Sequence, residues 1–187
     1  MSLVRDFSPG KLTNTGNPLN VAIAGPGFFQ VMTNTGDTAY TRNGSFQMDE
    51  TGNLVTHHGH PVQPGIQIGP DAAGVEISGD GAVHAIRSDG IEKVGRLQIF
   101  TFPNEQGLRA LNDAVFVLTT ASGLALAAPP LHGIVTSLHQ GFLESSNALV
   151  SVEDMRLFQF KQWYSAIMVE VSGLSEPQLI QAAAEKP

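Results

Sequence analysis

Turn-forming residues interrupt this chain so often between residues 6 and 130 that no helix of ordinary length fits there. Short apolar runs are separated by glycine, proline and Asn-Gly or Asp-Gly pairs, and the 187 residues include 20 Gly and 11 Pro. An average α-helix needs about 11 residues without such breaks. The pattern therefore predicts a mainly β fold, in which antiparallel strands and hairpins form a compact domain.

Apolar and polar residues alternate in most of these runs, as expected of half-buried strands. Asn43-Gly44, between Tyr40 and Phe46, and Asp80-Gly81, between two alternating runs, both predict tight hairpins because these residue types accept positive φ. Gly25-Pro26-Gly27 is predicted to reverse the chain between two paired strands. Strands are predicted over 21–23, 28–31, 54–56, 66–68, 75–77, 83–86, 96–102 and 114–118.

The pattern changes after Gly141. Ser151 followed by Glu153 and Asp154 is typical of a helix start, and apolar residues then recur at helical spacing. We therefore predict one C-terminal α-helix from Ser151 to Ser172, whose apolar stripe is buried on the β domain or on a second copy. The predicted divisions are an extended segment over 1–20, a β-rich domain over 21–140, and a linker with the helix over 141–187.

The charge balance argues against several classes of partner. The net charge is −7 with only ten Lys and Arg, which form no cluster, so nucleic-acid binding is not expected. No apolar run approaches the roughly 20 residues that span a bilayer, and the first five residues lack the apolar core of a secretory signal. The absence of cysteine excludes disulfides, thiolate nucleophiles and cysteine zinc sites.

One run suggests metal chemistry. His57, His58 and His60 are close enough in sequence to recruit a transition metal. However, adjacent residues of an extended strand point to opposite faces, and Gly59 with Pro61 indicates a turn. The run favours a solvated loop, and no metal or other cofactor is predicted.

The sequence offers no positive support for an enzyme. Gly25-Pro26-Gly27 is followed by a strand and lacks the Lys-Ser/Thr pair of a phosphate-binding loop. The acid pairs Asp49-Glu50 and Glu153-Asp154 point apart on a strand or a helix start, and no Gly-x-Ser-x-Gly sequence occurs. We predict no catalytic residue and no small-molecule substrate, and we assign Phe28, Phe29 and Phe46 to the core.

Four linked segments resemble the flagellar basal-body rod and hook protein family, and most closely its distal rod subunits. They are residues 6–23 continuing into 25–31 (Gly-Pro-Gly-Phe-Phe-Gln-Val), 40–46, 52–56 with 59–62, and 140–147, in the family's order. The residues that carry the resemblance, expected to have structural roles, are Gly25, Gly27, Phe28, Phe29, Tyr40, Arg42, Asn43, Gly44, Phe46, Gln140, Gly141, Glu144 and Asn147.

The resemblance implies a structural subunit that polymerises with copies of itself and with other rod and hook subunits into the axial drive shaft for motility. It also implies type III export without a cleaved signal and a location in the basal body, spanning the periplasm. A hook or proximal-rod relative is the alternative, followed by an extracellular carbohydrate-binding β domain. Two departures are expected to affect assembly: the family's long N-terminal helix has no counterpart before residue 6, and residues 160–165 differ from the family's C-terminal pattern.

Overall fold

The computed structural model describes residues 7–111, 114–128 and 136–145, which belong to the first compact unit of the chain, Met1–Asn147. Strands β1 to β15 and one 3-10 turn, Glu105–Gly107, form in these ranges, and the strand pairs are antiparallel. The strands are β1 (Leu12–Asn14), β2 (Val21–Ala24), β3 (Phe28–Met32), β4 (Thr38–Thr41), β5 (Phe46–Met48), β6 (Leu54–Thr56), β7 (Gly74–Ile77), β8 (Ala82–Arg87), β9 (Gly90–Arg96), β10 (Ile99–Thr101), β11 (Arg109–Ala110), β12 (Phe116–Val117), β13 (Leu126–Ala128), β14 (Ser137–Gln140) and β15 (Phe142–Glu144).

The predicted fold class was wrong in including an α-helix. Within the described ranges the elements are strands and the 3-10 turn, and the residues of the predicted helix, 151–172, lie outside those ranges. The described core consists of residues from strands and their connections alone. An apolar stripe at helical spacing gives a stable helix only where a neighbouring surface covers it. The fold class is therefore mainly β, without an α-helix in the part described.

The strands form five sheets among the described residues. The largest has the order β11-β12-β4-β3-β10-β13, a second has the order β7-β8-β9, and three are two-stranded: β1-β15, β14-β2 and β5-β6. The β1-β15 pair joins Leu12–Asn14 to Phe142–Glu144, so segments from both ends of the described chain meet in one ribbon. The predicted division at residues 20 and 140 stays a prediction.

Two apolar clusters make up the core. Successive side chains of β3 point to opposite faces of the sheet, so that Phe29 enters a large aliphatic cluster while Phe28 enters an aromatic one. In the aromatic cluster Phe7 packs edge-to-face on Phe28 and Phe116, at centroid distances of 5.5 and 5.2 Å. The segment that precedes β1 is thereby attached to the six-stranded sheet.

The hairpin predicted at Asp80-Gly81 is confirmed. Strands β7 and β8 pair in register from Gly74↔Ile86 to Ile77↔Val83, and Gly81 has φ +87. The strand predicted over 66–68 was wrong, because the ladder pairing of this segment is limited to one isolated bridge, between Gln67 and Asn53. Ile66 and Ile68 are nevertheless fully buried.

The other two predicted reversals were wrong in their pairing. Strands β2 and β3 flank the Gly25-Pro26-Gly27 turn, but β2 pairs with β14, and β3 with β4 and β10. Around Asn43-Gly44, β4 pairs with β3 and β12, whereas β5 pairs with β6. The Asn43 side chain accepts a hydrogen bond from the Ser45 amide (2.9 Å), a local turn that redirects the chain without closing a hairpin.

Candidate assembly site

Arg42, immediately after β4, forms a bidentate ion pair with Glu144 at the end of β15. Its Nε donates to Oε2 (3.1 Å) and its Nη2 to Oε1 (2.9 Å), and the two side chains are only 12% and 13% exposed. The planar guanidinium matches both carboxylate oxygens, which makes this one of the stronger kinds of hydrogen-bonded pair. The pair links two segments that are 102 residues apart.

Arg42 also binds the reversal between β2 and β3. Its Nη1 donates to the Gly27 carbonyl (2.8 Å) and its Nη2 to the Gly25 carbonyl (3.1 Å). Gly25 and Gly27 have φ of +127 and +132, a region that glycine enters without strain, and a Cβ on Gly27 would overlap the Ile99 side chain. Glycines at these two positions therefore allow the turn to direct both carbonyls at the guanidinium.

Glu144 has a further partner in the segment before β1. The Gly10 amide donates to its Oε1 (2.7 Å), across 134 residues of sequence, and a Cβ on Gly10 would overlap the Ser145 carbonyl. We call Gly10, Gly25, Gly27, Arg42 and Glu144 the Arg42 cluster. It ties the β1-β15 ribbon to the six-stranded sheet.

The electrostatics of the cluster extend to the 3-10 turn. Burial raises the pKa of the Glu105 carboxyl, and the positive charge of Arg42 acts in the opposite direction. Arg42 thus acts on the Glu105 carboxyl in addition to forming its ion pair with Glu144. The guanidinium carbon also lies 5.8 Å from the ring centroid of Phe28, at the outer limit of a cation–π contact.

A second joint lies where β14 meets β15. The Gln140 amide donates to the carbonyls of Pro18 and Val75 (both 2.8 Å), while its oxygen accepts from the Ile77 amide (3.1 Å). Gly141 follows, and its carbonyl accepts from the Thr15 amide (2.7 Å). One side chain thus joins the segment before β2 to strand β7.

The chain matches the model of the flagellar hook protein FlgE/F/G D1 domain over residues 22–85. The flagellar basal-body rod protein FlgG of Caulobacter vibrioides is 35% identical over 187 residues, which cover 98% of this chain and 70% of that protein. FlgG of Buchnera aphidicola subsp. Schizaphis graminum is 37% identical over 166 residues, 88% of this chain and 64% of the relative. The rod protein FlgF of Escherichia coli is 33% identical over 160 residues, 80% and 62% respectively.

The chain belongs to the flagellar basal-body rod protein family. The expected family is therefore confirmed, and the matches span between 53% and 70% of the length of the FlgG relatives.

The residues that carry the family resemblance fall into distinct places. Gly25, Gly27, Arg42 and Glu144 meet in the Arg42 cluster, with Phe28 against it. Three of the remaining residues lie in the core: Phe29 packs on Phe46 (5.0 Å between centroids), and Tyr40 belongs to the aromatic cluster. Asn43 forms its local turn, and the Gly44 carbonyl accepts a hydrogen bond from the Val21 amide. Gln140 and Gly141 form the second joint. Asn147 lies outside the described residues.

Sequence reasoning missed three members of this arrangement. Gly10, Glu105 and Thr136, whose hydroxyl donates to the Pro26 carbonyl (3.0 Å), carry no local pattern that indicates a role. Their partners are far away in sequence, so that only the folded chain reveals them.

The three clustered histidines have different surroundings. His57 and His58 are exposed, with ring centroids 5.6 Å apart, and His57 Nδ1 contacts the Gln47 amide (3.0 Å). His60 is buried, and its centroid is 6.4 Å from that of His58. No group of three or more His, Cys, Asp or Glu residues within the described ranges is placed to hold a metal ion. Those ranges likewise contain no helix long and apolar enough to cross a membrane.

Proposed function

We propose that this chain is a structural subunit of the flagellar rod, of the distal-rod type, and that it polymerises into the axial shaft of the basal body. The observation that carries the proposal is the Arg42 cluster. Through it, segments from both ends of the described chain are fastened to a single β domain. A load applied to the β1-β15 ribbon would pass into the six-stranded sheet through short, largely buried polar contacts.

Rigidity is the physical requirement of such a subunit. A shaft that transmits torque needs subunits whose ends keep their direction under load, and a bidentate ion pair held on two carbonyls restricts rotation more than a single contact does. The residues that carry the family resemblance act, in this proposal, as structural supports rather than as catalytic groups. The chain has no catalytic role and takes no small-molecule substrate.

Partners and location follow from the same proposal. The chain assembles with copies of itself and with other rod and hook subunits, leaves the cytoplasm through the flagellar type III apparatus without a cleaved signal, and spans the periplasm in the basal body. It neither binds nucleic acid nor inserts into a membrane. The deficit of cations relative to acids, ten against 17, supports the exclusion of nucleic acid.

A hook or proximal-rod position is the second candidate. It is supported by the family model, whose description includes a hook protein. Both candidates share the β domain and differ only in the place along the axis.

Incorporation into basal bodies tests the proposal. The chain, carrying an epitope tag, is expressed in a flagellated bacterium, and detergent-purified basal bodies are probed for the tag. We expect the tag in the basal-body fraction, and gold-labelled antibody on the distal rod. A tag found only in the cytoplasmic fraction would overturn the proposal, and label confined to the hook or proximal rod would favour the second candidate. The Arg42→Met variant, with its cluster broken, should be incorporated less than the matched surface variant Arg96→Met.

A further inference from the structure

The Asn43-Gly44 pair, which does not close the hairpin predicted for it, is chemically reactive. Asn43 is the only asparagine in the chain that is followed by glycine. Because glycine has no side chain to hinder it, its amide nitrogen can reach the side-chain carbonyl carbon of the preceding asparagine. In a free chain such a pair loses ammonia spontaneously by closing a succinimide ring. In a folded chain the reaction depends on how freely the two residues rotate.

The reaction needs only water. The Gly44 nitrogen forms a bond to Cγ of Asn43 and gives its proton to the solvent, the bond from Cγ to Nδ2 breaks, and Nδ2 leaves as ammonia. Water then opens the ring at one of its two carbonyl carbons. Opening at Cγ gives aspartate in an unchanged main chain. Opening at the main-chain carbonyl of residue 43 gives isoaspartate, in which the main chain runs through Cβ and Cγ and is longer by one atom.

Hydrogen bonds on both sides hold this pair in place. The Asn43 amide donates to Thr41 Oγ1 (3.0 Å), and Asn43 Oδ1 accepts from the Ser45 amide (2.9 Å). The Gly44 carbonyl accepts from the Val21 amide (3.0 Å). Ring closure rotates the Asn43 side chain and the peptide group between residues 43 and 44, so it competes with these hydrogen bonds.

The packing of Gly44 restricts the pair further. Gly44 is buried, and a Cβ built on it would overlap the Val21 carbonyl. The main chain at Gly44 therefore has no room to move towards β2. Asn43 itself is exposed, so water reaches its side chain. The fold thus restrains the reaction through the position of the main chain and leaves the side chain accessible to water.

We propose that Asn43-Gly44 is a self-modification site that the fold keeps unreacted and that converts when this bend opens or the chain unfolds. Isoaspartate at position 43 prevents the native bend from forming again, because a main chain longer by one atom does not return Gly44 to its place against Val21. The modified fraction therefore increases with the time that a chain has spent unfolded. This inference goes beyond the proposed function and does not depend on it.

Incubation in oxygen-18 water tests whether the fold restrains the reaction. The full chain is kept at mildly alkaline pH, either folded or unfolded in urea, and is then digested in ordinary water at acidic pH for mass spectrometry. Only conversion before digestion introduces the heavy oxygen. We expect Asn43 to convert at least about 10-fold more slowly in the folded chain, because the reaction requires the open state.

A pair of variants tests the hydrogen bonds that hold the bend. Thr41→Val removes the acceptor of the Asn43 amide and should speed the conversion of the folded chain. Thr38→Val, at an exposed position of the same strand, is the matched control and should leave the rate unchanged. Circular dichroism verifies that both variants are folded.

Refolding tests the consequence of the modification. The converted chain is transferred out of urea, folded and misfolded fractions are separated by size-exclusion chromatography, and isoaspartate is measured in each with an isoaspartyl methyltransferase. An Asn43→Gln chain treated in the same way gives the background from other positions. We expect isoaspartate to be concentrated in the misfolded fraction. An Asn43→Asp variant, which differs from the isoaspartyl chain only in the path of the main chain, should refold as the wild type does, because its carboxylate still accepts from the Ser45 amide.

Three results would overturn the proposal. The first is an equal rate of conversion in the folded and unfolded chains, and the second is conversion of other asparagines before Asn43 in the unfolded chain. The third is an equal isoaspartate content in the folded and misfolded fractions.

Discussion

The Arg42 cluster and the β7-β8-β9 sheet use the same chemistry, arginine paired with carboxylate, at different depths. In the cluster, Arg42 and Glu144 are 12% and 13% exposed, whereas Arg96 and Asp80 in the sheet are 46% and 39% exposed. Water screens the second pair and leaves it little net energy. Loss of one partner in the first pair leaves a charge with few water contacts. The difference indicates that the Arg42 cluster holds distant segments together, while the Arg96–Asp80 pair is part of the solvent-exposed surface.

The two regions also differ in how far along the chain their contacts reach. The Arg96–Asp80 pair spans 16 residues, but the contacts of Glu144 span 102 to Arg42 and 134 to Gly10. Local contacts shape a hairpin, whereas distant contacts fix how separate segments are oriented. Substitutions that act on one region and not on the other test this distinction.

The largest expected effect is at Phe28, which is fully buried beside the Arg42 cluster. Phe28→Ala leaves a cavity among Phe7, Phe102 and Phe116, and should lower the free energy of unfolding by about 4 kcal/mol. Ile91→Ala in the β7-β8-β9 sheet, where the side chain is 66% exposed, should change it by less than about 0.5 kcal/mol. Urea unfolding followed by circular dichroism measures both. Equal losses would mean that the two regions do not differ in packing.

The next effect concerns the ion pairs themselves. Arg42→Met keeps most of the side-chain volume but removes the cation that pairs with Glu144 and the donor to the Gly25 and Gly27 carbonyls, which should cost about 3 kcal/mol. Arg96→Met should cost less than about 1 kcal/mol, because its pair is solvent-exposed.

A double variant shows whether the loss at Arg42 arises from the stranded charge. Adding Glu144→Gln to Arg42→Met removes the unpaired carboxylate while an oxygen remains for the Gly10 amide, so part of the stability should return, about 1 kcal/mol. If the losses in unfolding free energy of the two single variants simply add in the double variant, the Glu144 carboxylate is well hydrated without Arg42.

A smaller effect is expected where the two regions meet. Gln140→Ala removes the amide that donates to the Val75 and Pro18 carbonyls and accepts from the Ile77 amide, and should cost about 2 kcal/mol. Gln67→Ala is the matched control, because the Gln67 side chain makes one exposed hydrogen bond, to the Thr51 carbonyl. This variant should lower the free energy of unfolding by less than about 0.5 kcal/mol. Hydrogen exchange should show the Ile77 amide losing protection in the first variant only; unchanged protection would contradict a bridging role.

The same contrast explains what could be predicted from the sequence. The β7-β8 hairpin was predictable because Asp80-Gly81 and the alternation beside it act within a few residues. Asn43-Gly44 has the same local pattern, yet the chain there follows long-range packing: a Cβ on Gly44 would overlap the Val21 carbonyl, so glycine is required by close approach rather than by a hairpin. Sequence pattern contains no information about that neighbour.

The candidate site shows most clearly which contacts a sequence pattern cannot predict. Arg42 and Glu144 were each singled out by the family resemblance, but nothing in either segment indicates that the two side chains meet. Gly10 was not singled out individually at all, because its role is to donate a backbone amide. A helical apolar stripe likewise specifies a face but not the surface that covers it, and the residues of the predicted helix, 151–172, lie outside the described ranges.

The smallest and most local expected effect concerns the pKa values of two aspartates in turns, Asp49 and Asp80. Hydrogen bonds from the Asn53 side chain and backbone and from Thr51 lower the pKa of Asp49 from 3.8 to about 2. The Ala82 amide lowers the pKa of Asp80, with Arg96 assisting and burial opposing. A lowered pKa means that the folded state favours the ionised carboxylate. The stabilisation of the folded state by Asp49 is therefore complete at pH values above the pKa of this carboxyl in the unfolded chain, and it is lost as the pH falls towards about 2. Carbon-13 NMR of the carboxyl groups should therefore show Asp49 titrating near 2, and Asn53→Ala should raise that midpoint while leaving Asp80 unchanged. A wild-type Asp49 midpoint near 3.8 would show that the turn does not hold these hydrogen bonds in solution.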